Sequence, residues 1–290
     1  MKMNFTSLAF FLQRRIKIYG LRQLVTKTEG KVIGQEKIEG PSALNITDEE
    51  AHLSELRTMG FTEFKHIIDG PLLNDIVKYA NSLPMYDPYN KGIGEFYFKD
   101  IPDDSYIVNF KRNDVVKNEA IVKIANDPGI LRIVEKFLGA TPTISTISMG
   151  WSIAGKSKAQ TTQMYHRDFD DFKFCKLFIY LTDVGPNDGP HVYVKNSSAN
   201  SRLTKIRRYE DGEIEKEFGA ENVVTFSRPK GSIFLVDTYG FHKGQLPVEN
   251  NRLLAQVRYS LNAVGIDKYT QIYVPFSKNY NKYINRLLIK

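Results

Sequence analysis

The sequence predicts a mainly β protein: an antiparallel barrel or sandwich with helices packed outside it. Two observations carry this. Up to Gly139 the apolar residues recur at helical spacing, and beyond it they gather into short β-branched or aromatic runs. Those runs follow one another without intervening helical patterns, which argues against a βαβ arrangement.

In chain order, residues 5–26 predict a short basic amphipathic helix. Residues 27–60 predict a polar connection broken at Gly30, Gly34, Gly40 and Pro41. Within it, Thr47 followed by Asp48, Glu49 and Glu50 marks a helix start, because early carboxylates suit the helix dipole. Phe61, Phe64, Ile68, Leu72 and Ile76 keep helical spacing over 61–83. Asp69-Gly70-Pro71 divides them into two short helices, and Pro84 ends the second. Residues 115–138 carry Ile121, Ile124, Ile130, Ile133 and Phe137 on one face, split at Asp127-Pro128-Gly129 with Asp127 as the cap. The expected strands are 142–154, 173–183, 191–195, 222–227, 231–237 and 252–262, bounded by Gly, Pro, Asn and Asp. Trp151 is expected in the core of the first. Residues 196–221 form a long charged loop, and such loops tend to be lids or binding loops. The organisation is a basic N-terminal extension at 1–60, a domain at 61–262 (helical lead 61–140, barrel core 141–262) and a basic C-terminal tail at 263–290.

At 42% hydrophobic, 290 residues can bury a sizeable core, which argues against global disorder. The single cysteine, Cys175, excludes an intrachain disulfide and a multi-Cys zinc site, and reads as an apolar strand residue. No run of about 18 apolar residues is present to span a membrane. The short apolar run before Arg14 and Arg15 lacks a small-residue cleavage site, so a cytoplasmic location is expected. The net charge of +7 sits at the ends. Residues 1–40 hold eight Lys/Arg against three Glu, and residues 263–290 hold five against one Asp. A nearly neutral body disfavours nucleic acid as a partner. The ends read as solvated tails, with peripheral contact of the basic N-terminus with an anionic membrane surface as the alternative.

Five histidines occur: His52, His66, His166, His191 and His242. In extended chain, His166 and Asp168 point to one face and can reach one metal ion. A distant histidine would complete a facial triad, which leaves open positions on iron for co-substrate and oxygen. An H-x-D triplet alone is a weak signal. Here Gln163-Met-Tyr-His-Arg-Asp-Phe-Asp170 precedes the strand Lys176–Val184 and then Gly189-Pro-His-Val-Tyr-Val194. Later comes Gly231-Ser-Ile-Phe-Leu-Val-Asp-Thr-Tyr-Gly-Phe-His242-Lys-Gly244, and Arg252 follows ten residues after His242.

With these motifs the chain resembles the phytanoyl-CoA dioxygenase-like family of Fe(II)/2-oxoglutarate-dependent oxygenases, over about Gln163 to Tyr259. The resemblance implies a double-stranded β-helix, a cupin-like jelly-roll barrel, with Fe(II) at its mouth. It places His166 and Asp168 on the family's H-x-D, His242 on its distal histidine, and Arg252 on the arginine that binds the far carboxylate of 2-oxoglutarate. Where members often carry Ser-His, this chain has Ser197-Ser198, so contacts made by that histidine do not transfer. Asp168 disfavours halogenation, because iron halogenases lack that carboxylate. The implied reaction consumes O2 and 2-oxoglutarate, releases succinate and CO2, and most simply hydroxylates a C–H bond of a small-molecule substrate.

The residues themselves fit. His242 ends an apolar run, a turn follows, and an antiparallel return would bring Arg252 back beside it. A guanidinium binds a carboxylate through two parallel hydrogen bonds. Arg258 has the same strand parity and is the runner-up. Lys176 and Tyr180 share a strand face with Phe178. They either reach 2-oxoglutarate or sit in solvent and core respectively. Gln163 touches substrate or co-substrate, or is a surface residue. His191 lines the pocket or is an ordinary barrel residue. Asp237 orients His242 from behind or ends a strand. The rival functions are a cupin-like barrel that binds metal or sugar without turnover, and a basic membrane-surface protein.

Overall fold

The computed structural model describes residues 10, 11 and 13–290. Helices α1 (Tyr19–Ile33) and α2 (Glu49–Thr58) lead to strand β1 (Phe61–Ile67), and α3 (Gly70–Asn81) follows. Then come β2 (Met85–Tyr86), β3 (Glu95–Phe96), β4 (Ile107–Phe110), α4 (Arg112–Val115), α5 (Glu119–Ala125) and α6 (Pro128–Leu138). The second half holds β5 (Thr143–Ser152), β6 (Phe174–Tyr180), β7 (His191–Val194), α7 (Asp211–Phe218), β8 (Val223–Phe226), β9 (Ser232–Val236), β10 (His242–Gly244), β11 (Arg252–Ser260) and α8 (Lys282–Asn285).

The strands form two antiparallel sheets. The larger runs β1-β9-β6-β11-β5-β4-β2-β3 and the smaller β10-β7-β8. Strand alternation explains the layers. On β6, Cys175, Leu177 and Ile179 join an apolar cluster with residues of α3, α5 and α6. The intervening Phe178 and Tyr180 join Phe61 and Phe234 of the large sheet and Tyr193 and Phe226 of the small one. That second cluster therefore fills the space between the sheets. Phe234 stacks on Phe226 at 4.6 Å and on Phe178 at 5.4 Å. On β11, Leu253, Ala255, Val257 and Tyr259 face the helices, which leaves Arg252, Leu254, Gln256 and Arg258 on the other parity. Because both faces are covered, these strands read as nearly unbroken apolar runs. The architecture is the expected jelly-roll barrel with helices packed outside.

Several local expectations are corrected. Residues 61–67 form a strand, not a helix. A separation of three puts two side chains on one helix face but on opposite strand faces. Here Phe61 enters the aromatic cluster and Phe64 the helix-side cluster. Within the expected helix 5–26, residues 10, 11 and 13 are helical, the chain breaks at 14–18, and a helix then spans Tyr19–Ile33; residues 5–9 and 12 lie outside the described residues. Gly30 sits inside α1 because the helix presses on the end of α6: a Cβ there would lie 3.1 Å from the Gly139 carbonyl oxygen. Asp48 and Asp127 cap α2 and α6 through the amides of Ala51 and Gly129, at 3.0 and 2.9 Å. The charged loop 196–221 contains α7, and its Glu210 and Glu213 make a capping box.

Helix α1 and the C-terminal segment pack on the barrel. Arg22 is 1% exposed, with its guanidinium on the Asp171 carbonyl at 2.6 Å and over the Tyr239 ring at 4.3 Å. Ile284, Leu288 and Ile289 belong to the helix-side cluster, and Asn285 exchanges amide hydrogen bonds with Asn126 at 2.7 and 3.1 Å. No helix among the described residues is long and apolar enough to cross a membrane.

Docking α1 half-buries Glu29. It accepts from Asn262 at 3.3 Å and leaves Oε2 buried without a partner. Burial, with Asp171 nearby, raises its pKa to about 7. A carboxyl whose folded pKa exceeds its unfolded value stabilises below the unfolded value, and that contribution is lost as pH rises through the folded one. Glu29→Gln should therefore raise the Tm at pH 8 and change it little at pH 5. An equal change at both pH values would remove Glu29 as the cause.

Candidate metal centre and its two cavities

The H-x-D segment is held by backbone pairing. The amides of His166 and His242 each donate to the other's carbonyl at 3.0 Å, and the Asp168 amide donates to Thr238 at 2.9 Å. Directly opposed antiparallel residues project to the same side. The two imidazole rings accordingly stand 4.3 Å apart, and Asp168, two residues on, joins them. Nε2 of His166 lies 3.6 Å from Asp168 Oδ1, and Nε2 of His242 lies 3.4 Å from Oδ2. One ligand atom from each residue falls within 4.8 Å of the other two, so the three could hold one metal ion.

The backbone also sets the tautomers. His166 Nδ1 donates to the Met164 carbonyl at 2.9 Å and His242 Nδ1 to the Gly240 carbonyl at 3.0 Å, which leaves both Nε2 lone pairs facing Asp168. Burial and the neighbouring His242 push His166 down to about 3, so its imidazole is neutral. Burial opposes ionisation of Asp168, but the Lys176 ammonium and His242 outweigh it and hold the carboxyl well below its usual range. Arg167, between the two, points the other way. It donates to the carbonyls of Ser197 and Tyr239 at 2.8 and 2.9 Å and lies over the Phe241 ring at 4.1 Å. It clamps the segment that presents His166 and Asp168.

A polar cavity of about 200 Å³ opens from the triad between the sheets. Arg252 lies in its wall, 5% exposed. The route by which it arrives differs from the expected hairpin. His242 opens β10 of the small sheet, whereas Arg252 opens β11 of the large one, so the arginine faces the triad across the barrel. Gly244 makes room for it: a Cβ there would lie 2.9 Å from a terminal guanidinium nitrogen. Arg252 donates to the Gly189 carbonyl and, at 3.0 Å, to Ser152 Oγ, while Nε has no partner. No carboxylate of the described residues pairs with it. Arg258 is committed elsewhere, to Asp170 at 3.1 Å, to Asp267, and to Ser145 at 2.9 Å.

The other expected residues divide. Lys176 lines the cavity but is ion-paired with Asp168 at 2.7 Å and Asp170 at 3.1 Å. His191 lines it too, stacked 5.6 Å from His242 with its Nε2 unpartnered. Tyr180 is buried among the aromatics. Its hydroxyl donates to Phe226 O at 2.9 Å and accepts from the His191 amide at 2.8 Å, and its dipole is felt at the Arg252 guanidinium. Gln163 folds onto its own turn, accepting from the Gln160 amide at 3.0 Å, and Thr162 lines the cavity instead. Asp237 accepts from the Tyr239 amide at 3.1 Å and from Ser198, so orienting His242 falls to the Gly240 carbonyl. Sequence reading overlooked Ser148, Ser152 and Gln256 in the cavity wall. The parity of Arg252 along β11 and the small residues at 148, 150 and 152 were the available signals.

A second cavity of about 450 Å³ shares Thr162, His166 and Asp168 with the first and opens toward the segment before α1 and the 205–208 loop.

No protein-family model matches the chain, and no curated protein does. Solved structures do. The non-heme alpha ketoglutarate dependent carbocyclase SnoK from nogalamycin biosynthesis superposes with a TM-score of 0.55 at 14% identity, over 76% of this chain and 87% of its own. HygX from Streptomyces hygroscopicus, solved with nickel and 2-oxoglutarate bound, gives 0.53 at 13% identity, over 77% and 90%. At such identities the likeness establishes the fold, a double-stranded β-helix. The His-Asp-His geometry, which could hold a metal ion, is this chain's own.

Proposed function

We propose that the chain is an Fe(II)- and 2-oxoglutarate-dependent oxygenase, similar to the phytanoyl-CoA dioxygenase-like family, that uses O2 to hydroxylate a C–H bond of a small molecule and releases succinate and CO2. The observation that carries this reading is Arg252. A buried guanidinium without a counter-charge is costly, and it faces a polar cavity that ends at a His-Asp-His cluster. A bound dicarboxylate would supply the missing charge. A barrel that only held metal would have no need of it.

The donor set fits the group. His166, Asp168 and His242 would hold Fe(II), and two neutral imidazoles with one carboxylate leave positions open. Arg252 would bind the far carboxylate of 2-oxoglutarate, supported by Ser152 and the Tyr180 hydroxyl. Bound iron supplies the oxygen and redox chemistry that side chains lack. The protein fixes the imidazole tautomers and anchors the co-substrate in the cavity between the sheets. SnoK and HygX support the reading through the fold they share with this chain.

The test has two readouts. Anaerobic protein with Fe(II) and 2-oxoglutarate should develop a visible charge-transfer absorption that metal-free protein lacks. In air, with a metabolite panel, it should form succinate in step with O2 uptake. Metal binding without that absorption would instead favour a non-catalytic barrel.

A further inference from the structure

The second cavity differs from the first in the charge of its wall. Arg14 contributes from the segment before α1, and Lys205, Arg207 and Arg208 from the loop between β7 and α7. Phe10 and Phe169 supply apolar wall between them. Its acids are Asp168 and Asp170, which already hold Lys176, and Asp170 also holds Arg258. Arg207 is spent on Glu213 at 3.0 Å and lies over the Tyr209 ring at 3.8 Å. For Arg14, Lys205 and Arg208, no carboxylate of the described residues comes within 4.0 Å. Arg208 is near enough to the triad for its charge to be felt at His166. Cations gathered round a concave site repel one another and focus a positive potential into it. An anion in the cavity would relieve that repulsion.

Resting on the oxygenase reading, we propose that the substrate is an organic anion. Its carboxylate or phosphate is held by Lys205 and Arg208, and its apolar body lies against Phe10 and Phe169 on the open side of His166 and Asp168. Guanidinium and ammonium groups form charge-assisted hydrogen bonds with either anion, so both sources share one chemistry. The pocket discriminates against neutral and cationic compounds of the same shape.

Hexanoate, hexyl phosphate, hexan-1-ol and hexylammonium are the probes, titrated by calorimetry into anaerobic protein saturated with Fe(II) and 2-oxoglutarate. The two anions should bind at least about tenfold more tightly than the alcohol or the amine, with an affinity that falls as salt is added. The tighter of the two tells a carboxylic acid substrate from a phosphate ester. The double variant Lys205→Gln/Arg208→Gln should lose roughly tenfold in anion affinity and none for the alcohol. Arg207→Gln, whose charge Glu213 already satisfies, should change it less than about threefold. Alcohol binding as tight as anion binding, or an unaffected double variant, would overturn the proposal. The charge-transfer absorption separates it from the reading beneath it. Absorption without anion selectivity defeats this proposal alone. Anion selectivity without absorption defeats the oxygenase and leaves an anion-binding cavity.

Discussion

Asp168→Ala is expected to abolish 2-oxoglutarate turnover and to weaken metal binding more than roughly 100-fold, beyond the 10–100-fold lost when a group merely supporting a ligand is removed. The carboxylate is the one anionic group of the proposed ligand set, and without it only the two imidazoles of His166 and His242 remain. The fold should survive. Removing Asp168 takes one partner from Lys176 but leaves Asp170 at 3.1 Å, so no buried ammonium is stranded. The H-x-D segment also keeps its backbone bonds to His242 and Thr238 and the Arg167 clamp. Metal titration and circular dichroism on the same variant check this. A folded variant with unchanged metal affinity and full succinate production would remove Asp168 from the metal site.

The barrel strands were legible because each central strand of the large sheet buries both faces, giving compact apolar runs that turn residues punctuate. The same two-sidedness hid β1, whose Phe61 and Phe64 serve opposite faces at a spacing that mimics a helix. Strand β10 was invisible because His-Lys-Gly carries no strand signal. It exists through pairing with β7 and through the His166–His242 exchange. In the site, the facing of His166 and Asp168 followed from strand parity. The meeting of Arg252 with the triad did not, because it depends on a crossing from the small sheet to the large one that local pattern does not encode. Contacts made across the barrel were hidden for the same reason. These include Lys176 on Asp168 and Asp170, and the bonds of Arg167 to Ser197 and Tyr239. Each joins residues that only the folded chain brings together.

Two buried arginines of equal strand parity should respond to truncation in opposite ways. Arg252→Ala should raise the 2-oxoglutarate requirement at least about tenfold, since breaking a buried charge-assisted pair costs about 2–5 kcal/mol of binding and about 1.4 kcal/mol corresponds to tenfold. Metal affinity should hold, because Arg252 touches Gly189, Ser152 and Tyr180 and no ligand. Thermal stability without co-substrate should also hold or rise, because the truncation removes a buried cation that lacks a counter-charge. What disappears is the rise in Tm that 2-oxoglutarate gives the parent protein by binding its native state. Arg258→Ala should do the reverse. It takes a partner from half-buried Asp170, which keeps Lys176, and from Asp267, so it should destabilise the fold by about 1–3 kcal/mol and shift the 2-oxoglutarate requirement less than Arg252→Ala does. Denaturant unfolding with and without 2-oxoglutarate measures both effects on each variant. If Arg258→Ala carries the co-substrate effect, the anchor is at the wrong end of β11. If neither variant changes 2-oxoglutarate binding, the cavity beside the triad holds something other than a dicarboxylate. The unpaired guanidinium then loses its explanation, and the proposed chemistry loses its main support.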